Sequence, residues 1–300
     1  MNENLENSPP TASLPIGIFD SGVGGLTVYR ALHNRLPNEH FVYLGDTARV
    51  PYGTKSLATV ERYAIENSQF LASRGIKLLV VACNTASALA LPKIRAQIGI
   101  DTIGVIGPGA RKAVEITKDK MNPRIAVIAT EATVASNAYA DSIKRASEKS
   151  GKTEVIQIAC PLFVPLAEEN WINEPETFSI AKKYLNRIIE FAPDALVLGC
   201  THYPILREVI QQTVGENVTL IDSGEACAEE VEKLLNEKGL ANTKKSFYNH
   251  ERRLCDDLDH FYVTDAADRF ARVAERFLGV KPAKLEAVEV FGIDEIKGKK

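Results

Sequence analysis

Short apolar runs and longer amphipathic segments alternate along almost the whole chain. Runs of four or five apolar residues are too short for helices and are typical of strands buried on both faces of a parallel sheet. Between these runs, apolar residues recur at helical spacing, as at Leu57, Val60, Ala64 and Leu71. This alternation predicts an α/β fold built on parallel sheets.

Nine segments predict strands, and most are separated by helical patterns. The strand at 101–107 is expected to end at Pro108 and Gly109, because proline interrupts a strand's hydrogen bonding. The predicted strands are 16–19, 40–46, 78–82, 101–107, 124–130, 153–159, 195–199, 218–222 and 261–265.

The order of these segments indicates an internal duplication. A strand restarts at 124–130, and similar lengths of chain separate each opening strand from a later apolar run that ends in cysteine. We therefore predict two pseudo-symmetric parallel-sheet domains with the active site in the cleft between them. The first comprises 16–108 plus 221–300 and is discontinuous, the second comprises 109–220, and the polar segment 1–15 is a disordered extension.

The two cysteine-terminated runs carry the main indication of function. Cys83 follows 78–82 and precedes Asn84 and Thr85, whereas Cys200 follows 195–199 and precedes Thr201 and His202. Ligands of open α/β sheets bind at the carboxyl ends of the strands. The pattern predicts one site with a sulfur atom on each side.

Composition excludes several classes of partner. The chain has 300 residues, a net charge of −3 and 25% charged residues, so it lacks the basic surface that nucleic-acid binding requires. No apolar stretch approaches the roughly 20 residues needed to span a bilayer. Five cysteines, an odd number in a chain without an export signal, indicate reduced thiols and a cytoplasmic location.

Paired thiols admit several uses. Both can simply fill buried strand ends, since free cysteine is often buried. Disulfide redox chemistry usually needs a C-x-x-C pair, which is absent. Cys83, Cys200 and His202 would supply only three ligands to a metal, at a spacing that is not standard for zinc. One nucleophile would leave the second thiol unexplained, whereas proton transfer at a carbon approached from both faces uses both.

Two further loops carry candidate chemistry. Asp20-Ser21-Gly22-Val23-Gly24-Gly25 joins a strand to a helix and permits close approach of a ligand, but it lacks the G-x-G-x-x-G and Gly-Lys-Ser/Thr patterns of nucleotide sites. Pro51-Tyr52-Gly53 predicts a rigid turn that offers a hydroxyl group and a backbone amide. Such turns are also common in loops without function.

Four ordered motifs resemble those of the glutamate racemases, within the aspartate/glutamate racemase family. They are Asp20 to Leu26, Pro51-Tyr52-Gly53, Ala82-Cys83-Asn84-Thr85 and Gly199-Cys200-Thr201-His202-Tyr203-Pro204. The resemblance implies a cofactor-independent isomerase that interconverts L- and D-glutamate for peptidoglycan synthesis. It also implies a cytoplasmic homodimer that binds glutamate and no metal.

The resemblance further assigns roles by motif. Cys83 is expected to serve the D-enantiomer and Cys200 the L-enantiomer, assisted by Asp20 and His202 respectively, with Glu168 as a further acid near the second thiol. The residues expected to hold the carboxylates and the ammonium group of the substrate are Asp20, Ser21, Pro51, Tyr52, Gly53, Asn84, Thr85, Thr201 and His202.

Two kinds of rival remain open at this point. Aspartate racemase, hydantoin racemase and maleate isomerase share the two-thiol architecture and would differ in the carboxylate-binding loops. A non-catalytic two-lobed binding protein for a small acidic solute would use the same cleft without exchanging hydrogen at Cα.

Overall fold

The computed structural model describes residues 10–148, 153–243 and 252–290, and it is an α/β structure with two parallel sheets. The strands are β1 Ile16–Asp20, β2 Phe41–Gly45, β3 Leu78–Val81, β4 Thr102–Gly104, β5 Arg124–Ala129, β6 Glu154–Ala159, β7 Ala195–Gly199, β8 Thr219–Asp222, β9 His260–Val263 and β10 Leu285–Ala287. The helices are α1 Leu26–Arg35, α2 Leu57–Ser73, α3 Asn84–Leu89, α4 Leu91–Ile98, α5 Ile106–Thr117, α6 Glu131–Ala135, α7 Ala138–Ser147, α8 Phe163–Glu168, α9 Pro175–Phe191, α10 Arg207–Val214, α11 Ser223–Lys238 and α12 Ala267–Leu278.

Strand order confirms the predicted pseudo-symmetry. The larger sheet has the order β10-β9-β2-β1-β3-β4 and the smaller sheet the order β6-β5-β7-β8. The order β2-β1-β3-β4 is therefore repeated as β6-β5-β7-β8, with β3 and β7 in equivalent places. All pairings are parallel.

The chain leaves the first sheet after β4 and returns to it at β9. The predicted boundary at 220/221 falls inside β8, which pairs with β7, so the second sheet extends to Asp222. Asp222 then caps α11, accepting hydrogen bonds at Oδ1 from the backbone amides of Gly224 and Glu225.

Helix α11 connects the two halves. It packs against α1 of the first half and against α5, which leads into the second sheet. One continuous apolar cluster includes Ile18 of β1, Ile128 of β5, Leu196 of β7 and Val231 of α11. Burial of apolar surface therefore stabilises both halves together.

The structure differs from the predictions at two places. The predicted strand 101–107 is wrong beyond Gly104, because α5 begins at Ile106 and passes through Pro108 and Gly109. Proline is tolerated there because the first turn of a helix has no internal partner for its N–H groups. Strand β10 was not predicted, since it has only three residues, none of them fully buried.

The predicted disordered extension, 1–15, lies partly outside the described residues, which begin at Pro10. Pro10–Ser13 form a turn of 3-10 helix, and Ala12 is buried. The Nζ atom of Lys77 donates to the carbonyl oxygen of Ala12 at 2.6 Å. This contact orders the last part of the segment. Among the described residues, no helix is both long and apolar enough to cross a membrane.

Candidate active site

Both thiols lie at the carboxyl ends of equivalent strands and face one cavity. Cys83 follows β3 and is 5% exposed, and Cys200 follows β7 and is 6% exposed. They line the same cavity of about 170 Å³ between the two sheets. The structure thus brings both cysteines to the wall of one cavity.

The small size of this cavity suits a small substrate, because sites for drug-sized ligands measure about 300–1,000 Å³. Two larger clefts of about 930 and 630 Å³ lie elsewhere, and Arg95 and Arg111 line both of them. Among the described residues, neither cleft is lined by a cysteine or a histidine. Size alone therefore does not identify the reactive site.

The surroundings of Cys83 keep its thiol protonated. Burial, followed by the negative charge of Asp20, raises the pKa of Cys83 to about 12. The thiol of Cys83 donates to Ser21 Oγ at 3.5 Å, and the backbone amide of Ala86 in the first turn of α3 donates to Cys83 Sγ. Both hydrogen bonds lower the pKa of Cys83 but do not outweigh burial. The thiol of Cys83 therefore carries its proton at neutral pH.

A histidine and a glutamate lie in series beside the sulfur of Cys200. His202 Nδ1 lies 3.8 Å from Cys200 Sγ, and His202 Nε2 lies 3.0 Å from Glu168 Oε1. Burial lowers the pKa of His202, but its contacts with Cys200 and Glu168 outweigh burial and raise that pKa to about 10. The imidazole is therefore a cation at neutral pH, placed against the sulfur of the second thiol.

Asp20 is fully buried beneath the cavity and does not line it. Its Oδ2 accepts from the amide of Gly22 at 2.9 Å, and Thr201 Oγ1 donates to its Oδ1 at 3.5 Å. Burial raises the pKa of Asp20, although the positive charge of His202 opposes this shift. The carboxyl group acts on Cys83 through its field, since the structure describes no hydrogen bond between the two.

Three threonine hydroxyls form a triangle at the boundary between the halves. Thr85 Oγ1 lies 3.0 Å from Thr130 Oγ1 and 3.3 Å from Thr133 Oγ1, and the last two atoms are 2.9 Å apart. Nearby, Asn84 Oδ1 accepts from the hydroxyl of Tyr139 at 2.7 Å. The buried Asn84 Nδ2 has no hydrogen-bond partner among the described residues. An unsatisfied buried donor in a cavity wall is suited to an anionic ligand.

The Pro51-Tyr52-Gly53 turn reaches the cavity by a different route from the one predicted. The hydroxyl of Tyr52 donates to Asp46 and accepts from Asn67 Nδ2 at 3.0 Å, so it is already engaged away from the substrate. The carbonyl of Gly53 accepts from the amide of Ala132 in the second half at 3.2 Å. The side chain of Tyr52 therefore holds the turn in place, and Pro51, Tyr52 and Gly53 all line the cavity.

The structure brings ten of the twelve predicted site residues to the cavity wall. Asp20 and Glu168 stand behind it and contact residues of the wall. The cavity residues that sequence reasoning missed are Val50, Thr54, Thr130, Glu131, Pro161, Val164 and Pro165. The position of Thr130 at the end of β5, which corresponds to β1, was the signal that could have identified it.

Comparisons with known proteins show the family to which the chain is similar. The family described as Asp/Glu/Hydantoin racemase matches residues 16–231. The chain is 49% identical over 266 residues to a glutamate racemase of Geobacter metallireducens, which covers 89% of this chain and 93% of that protein.

Solved structures of similar fold include a glutamate racemase isoform of Bacillus anthracis, with a TM-score of 0.83 and 34% identity over 92% of this chain and 98% of that one. They also include a glutamate racemase of Francisella tularensis in complex with D-glutamate. Its TM-score is 0.80, with 38% identity over 93% of this chain and 98% of that one.

Proposed function

This chain belongs to the Asp/Glu/hydantoin racemase family and within it to the glutamate racemases, and on that premise we propose that Cys83 and Cys200 act as its two bases. The D-glutamate that a glutamate racemase forms serves peptidoglycan synthesis. The single observation that carries the proposal is that thiols from equivalent strands line one cavity of about 170 Å³.

In the direction from L- to D-glutamate, the thiolate of Cys200 removes the proton from Cα, and the thiol of Cys83 delivers a proton to the opposite face. One proton leaves the carbon and one arrives, so the substrate is inverted and the protonation states of the two sulfurs are exchanged. The reverse direction uses the same groups in exchanged roles, as microscopic reversibility requires. No step needs an oxidant or a cofactor.

The groups beside the two sulfurs fit the first direction. The cationic imidazole of His202 stabilises the thiolate that must act as base, and the raised pKa of Cys83 retains the proton that must be donated. The carbanion formed at Cα is much more basic than a thiolate. Preorganised donors in a site shielded from water are therefore needed to stabilise it.

We place the substrate carboxylates against the neutral donors of the cavity. Asn84 Nδ2 is an unpaired donor, and the hydroxyls of Thr85 and Thr130 can each turn a proton towards an oxygen. The hydroxyls of Ser21 and Thr201 and the backbone of Gly53 complete the wall. Neutral donors bind a carboxylate without forming a salt bridge to either thiolate, which leaves both sulfurs reactive.

The test is racemisation in heavy water by the Cys83→Ser and Cys200→Ser variants, with Cys160→Ala as control. Cys160 is buried at the end of β6 and does not line the cavity. We expect each serine variant to lose about 10²- to 10⁴-fold or more of the rate, the range ascribed to a positioned acid or base, and the control to keep it. Product formed by the unaltered chain should carry one deuterium at Cα.

Retention of near normal turnover by either serine variant contradicts the two-base assignment. Transfer of the original hydrogen from substrate to product would also contradict it, because a single base can return the same proton whereas two opposed bases cannot.

We also propose that the protein is a cytoplasmic homodimer. Five free thiols support a reducing compartment, and all five are buried. The homodimer rests on the resemblance to glutamate racemases. Light scattering during size-exclusion chromatography would measure the molar mass, and a value near the 32.9 kDa of one chain would refute the dimer.

A further inference from the structure

One face of α12 contacts the acid–base pair that serves Cys200. Arg269, Arg276 and Phe277 are spaced by seven and eight residues, so they lie on the same side of the helix. Arg269 Nη2 donates to Glu168 Oε2 at 3.1 Å, and Arg276 Nη1 donates to the carbonyl oxygen of Glu168 at 2.9 Å. The ring of Phe277 meets the imidazole of His202 edge-on, with 6.1 Å between centroids.

These contacts cross between the two halves of the molecule. In the chain, helix α12 follows β9 and precedes β10, which both belong to the larger sheet. Glu168, by contrast, ends α8, and His202 follows β7 of the smaller sheet. The first half thus completes the surroundings of the thiol that the second half supplies. Cys83 differs, because its hydrogen-bond partners Ser21 and Ala86 come from its own half.

The contacts also fix the orientation of the carboxylate. Each oxygen of Glu168 has its own partner, since Oε1 pairs with His202 and Oε2 with Arg269. Both carboxylate oxygens of Glu168 are therefore fixed by hydrogen bonds, and the hydrogen bond from Arg276 fixes the backbone of the same residue. An imidazole held in this way keeps its Nδ1 directed at Cys200 Sγ.

We propose that α12 is a clamp for the Cys200 side of the active site and that Arg269 is a positioning residue, which orients Glu168 and through it His202. This inference rests on the proposed two-thiol mechanism. Arg269 does not reach the cavity, and its side chain is 58% exposed. Its effect is consequently modest and sensitive to ionic strength, as for other exposed ion pairs.

Racemisation rates alone cannot show which of the two thiols a substitution affects. The ratio of kcat/KM in the two directions must equal the equilibrium constant of the reaction, so both values change together. Elimination from 3-chloroglutamate separates the two thiols. One base removes the Cα proton, the Cα–Cβ double bond forms as the C–Cl bond breaks, and chloride leaves with the electron pair. The resulting enamine tautomerises and hydrolyses to 2-oxoglutarate and ammonia. Only one thiol is needed for each enantiomer.

The variants are Arg269→Ala, Arg269→Glu and Arg269→Lys, with Arg272→Glu as a charge-matched control on the same helix. Arg272 is exposed and makes no hydrogen bond or ion pair in the described parts of the chain. Formation of 2-oxoglutarate from the L- and D-forms of threo-3-chloroglutamate is measured at low and high salt. The Cys200→Ser variant identifies the enantiomer that Cys200 serves, which we expect to be L.

We expect Arg269→Ala to lower kcat/KM about two- to fivefold for the enantiomer that Cys200 serves, the size expected for an exposed ion pair, and to leave the other within error. Arg269→Glu should lower it further by placing a like charge beside Glu168. Arg269→Lys should recover part of the loss, Arg272→Glu should match the unaltered chain, and high salt should shrink the differences.

Equal losses for both enantiomers would show a merely structural role and overturn the proposal, as would no loss for either. If Cys200→Ser blocks one enantiomer and Arg269→Glu affects neither, the clamp alone is wrong. If Cys200→Ser blocks neither enantiomer, the two-thiol assignment falls and the clamp falls with it. The melting temperature of each variant establishes that the fold is retained.

Discussion

The imidazole of His202 lies between a thiol and a carboxylate, and both neighbours determine its charge. Contacts with Cys200 and Glu168 raise the pKa of His202 to about 10, against the opposing effect of burial. Burial tends to raise the pKa of Glu168, but the hydrogen bond from His202 and the nearby positive charges lower it overall. Glu168 therefore remains a carboxylate when His202 is a cation, and the pair keeps a positive group beside the sulfur.

A pH profile tests this account. Glu168→Gln removes the negative charge that helps to raise the pKa of His202, so the imidazole should lose its proton at lower pH. We expect the alkaline limb of kcat/KM, which reports the free enzyme, to move towards neutral pH. Glu176→Gln, an exposed change on α9, should leave the limb in place. An alkaline limb at the same pH in Glu168→Gln and in the unaltered chain would refute this role of Glu168.

Residues next to a recognisable motif were predictable, and residues that reach the site through the fold were not. Cys83, Asn84 and Thr85 follow one apolar run directly, so sequence alone placed them at the site. Thr133 and Arg269 have no such neighbour, since each depends on how one half meets the other. Tyr52 was placed at the site by its motif and does line the cavity, but the partners of its hydroxyl, Asp46 and Asn67, were not predictable from the sequence.

At the scale of elements, the loop between β1 and α1 is shaped by its contact with the second half. A Cβ atom at Gly24 would lie 2.2 Å from Thr201 Oγ1 and 2.6 Å from the imidazole of His202. Thr27 Oγ1 also donates to the carbonyl of Thr201 at 2.8 Å. Glycine is therefore needed at position 24 because it lacks a side chain and lets the two loops approach closely. Its backbone conformation does not require glycine.

We predict that Gly24→Ala displaces Thr201 and His202 and lowers kcat by about 10²-fold, the loss expected when a catalytic group is misplaced by about 1 Å. Gly22→Ala is the matched control in the same loop, because its nearest contact would be Val50 Cγ2 at 3.4 Å. Steady-state kinetics of both variants measure the loss of kcat, and thermal melting shows whether each variant retains its fold. Similar activity in the two alanine variants would mean that the loops adjust without cost.

Most elements were predictable because buried parallel strands are apolar at every position. The same pattern misled at 101–107, where apolar residues continue from β4 into the first turn of α5 without a change of composition. Periodicity cannot separate a strand end from a buried helix start over so few residues. The pseudo-symmetry of the two sheets, by contrast, was predictable from the repeated pattern of strands and cysteines.

At the scale of the whole molecule, the edge of the first sheet opposite the thiols is held by a buried ion pair. Lys77 Nζ lies 2.5 Å from Glu39 Oε2, and the two side chains are 1% and 3% exposed. Lys77 also donates to the carbonyls of Ala12 and Leu240, and Glu39 Oε1 accepts from the amide of Asn242. Segments distant in sequence are thus joined before β1, β2 and β3 begin.

We predict that Lys77→Ala lowers the free energy of unfolding by about 3–5 kcal/mol, because it leaves the carboxylate of Glu39 buried without its cation. Lys93→Ala, which removes an exposed pair with Glu61, should cost about 0–1 kcal/mol. Denaturant unfolding measures both. The folded Lys77 variant should keep its kcat, since the pair is remote from the cavity.

Adding Glu39→Gln to Lys77→Ala should recover part of the lost stability. No recovery would show that the lost contacts to Ala12 and Leu240, rather than the stranded charge, account for the effect.

Because one apolar cluster includes residues of both sheets and of α11, neither half of the chain is expected to fold when it is expressed alone. A fragment of residues 109–220 expressed alone would expose Ile128 and Leu196 where the rest of the cluster now covers them, and it should precipitate or recruit chaperones. Calorimetry of the intact chain should accordingly record one melting transition, with neither lobe surviving the loss of the other.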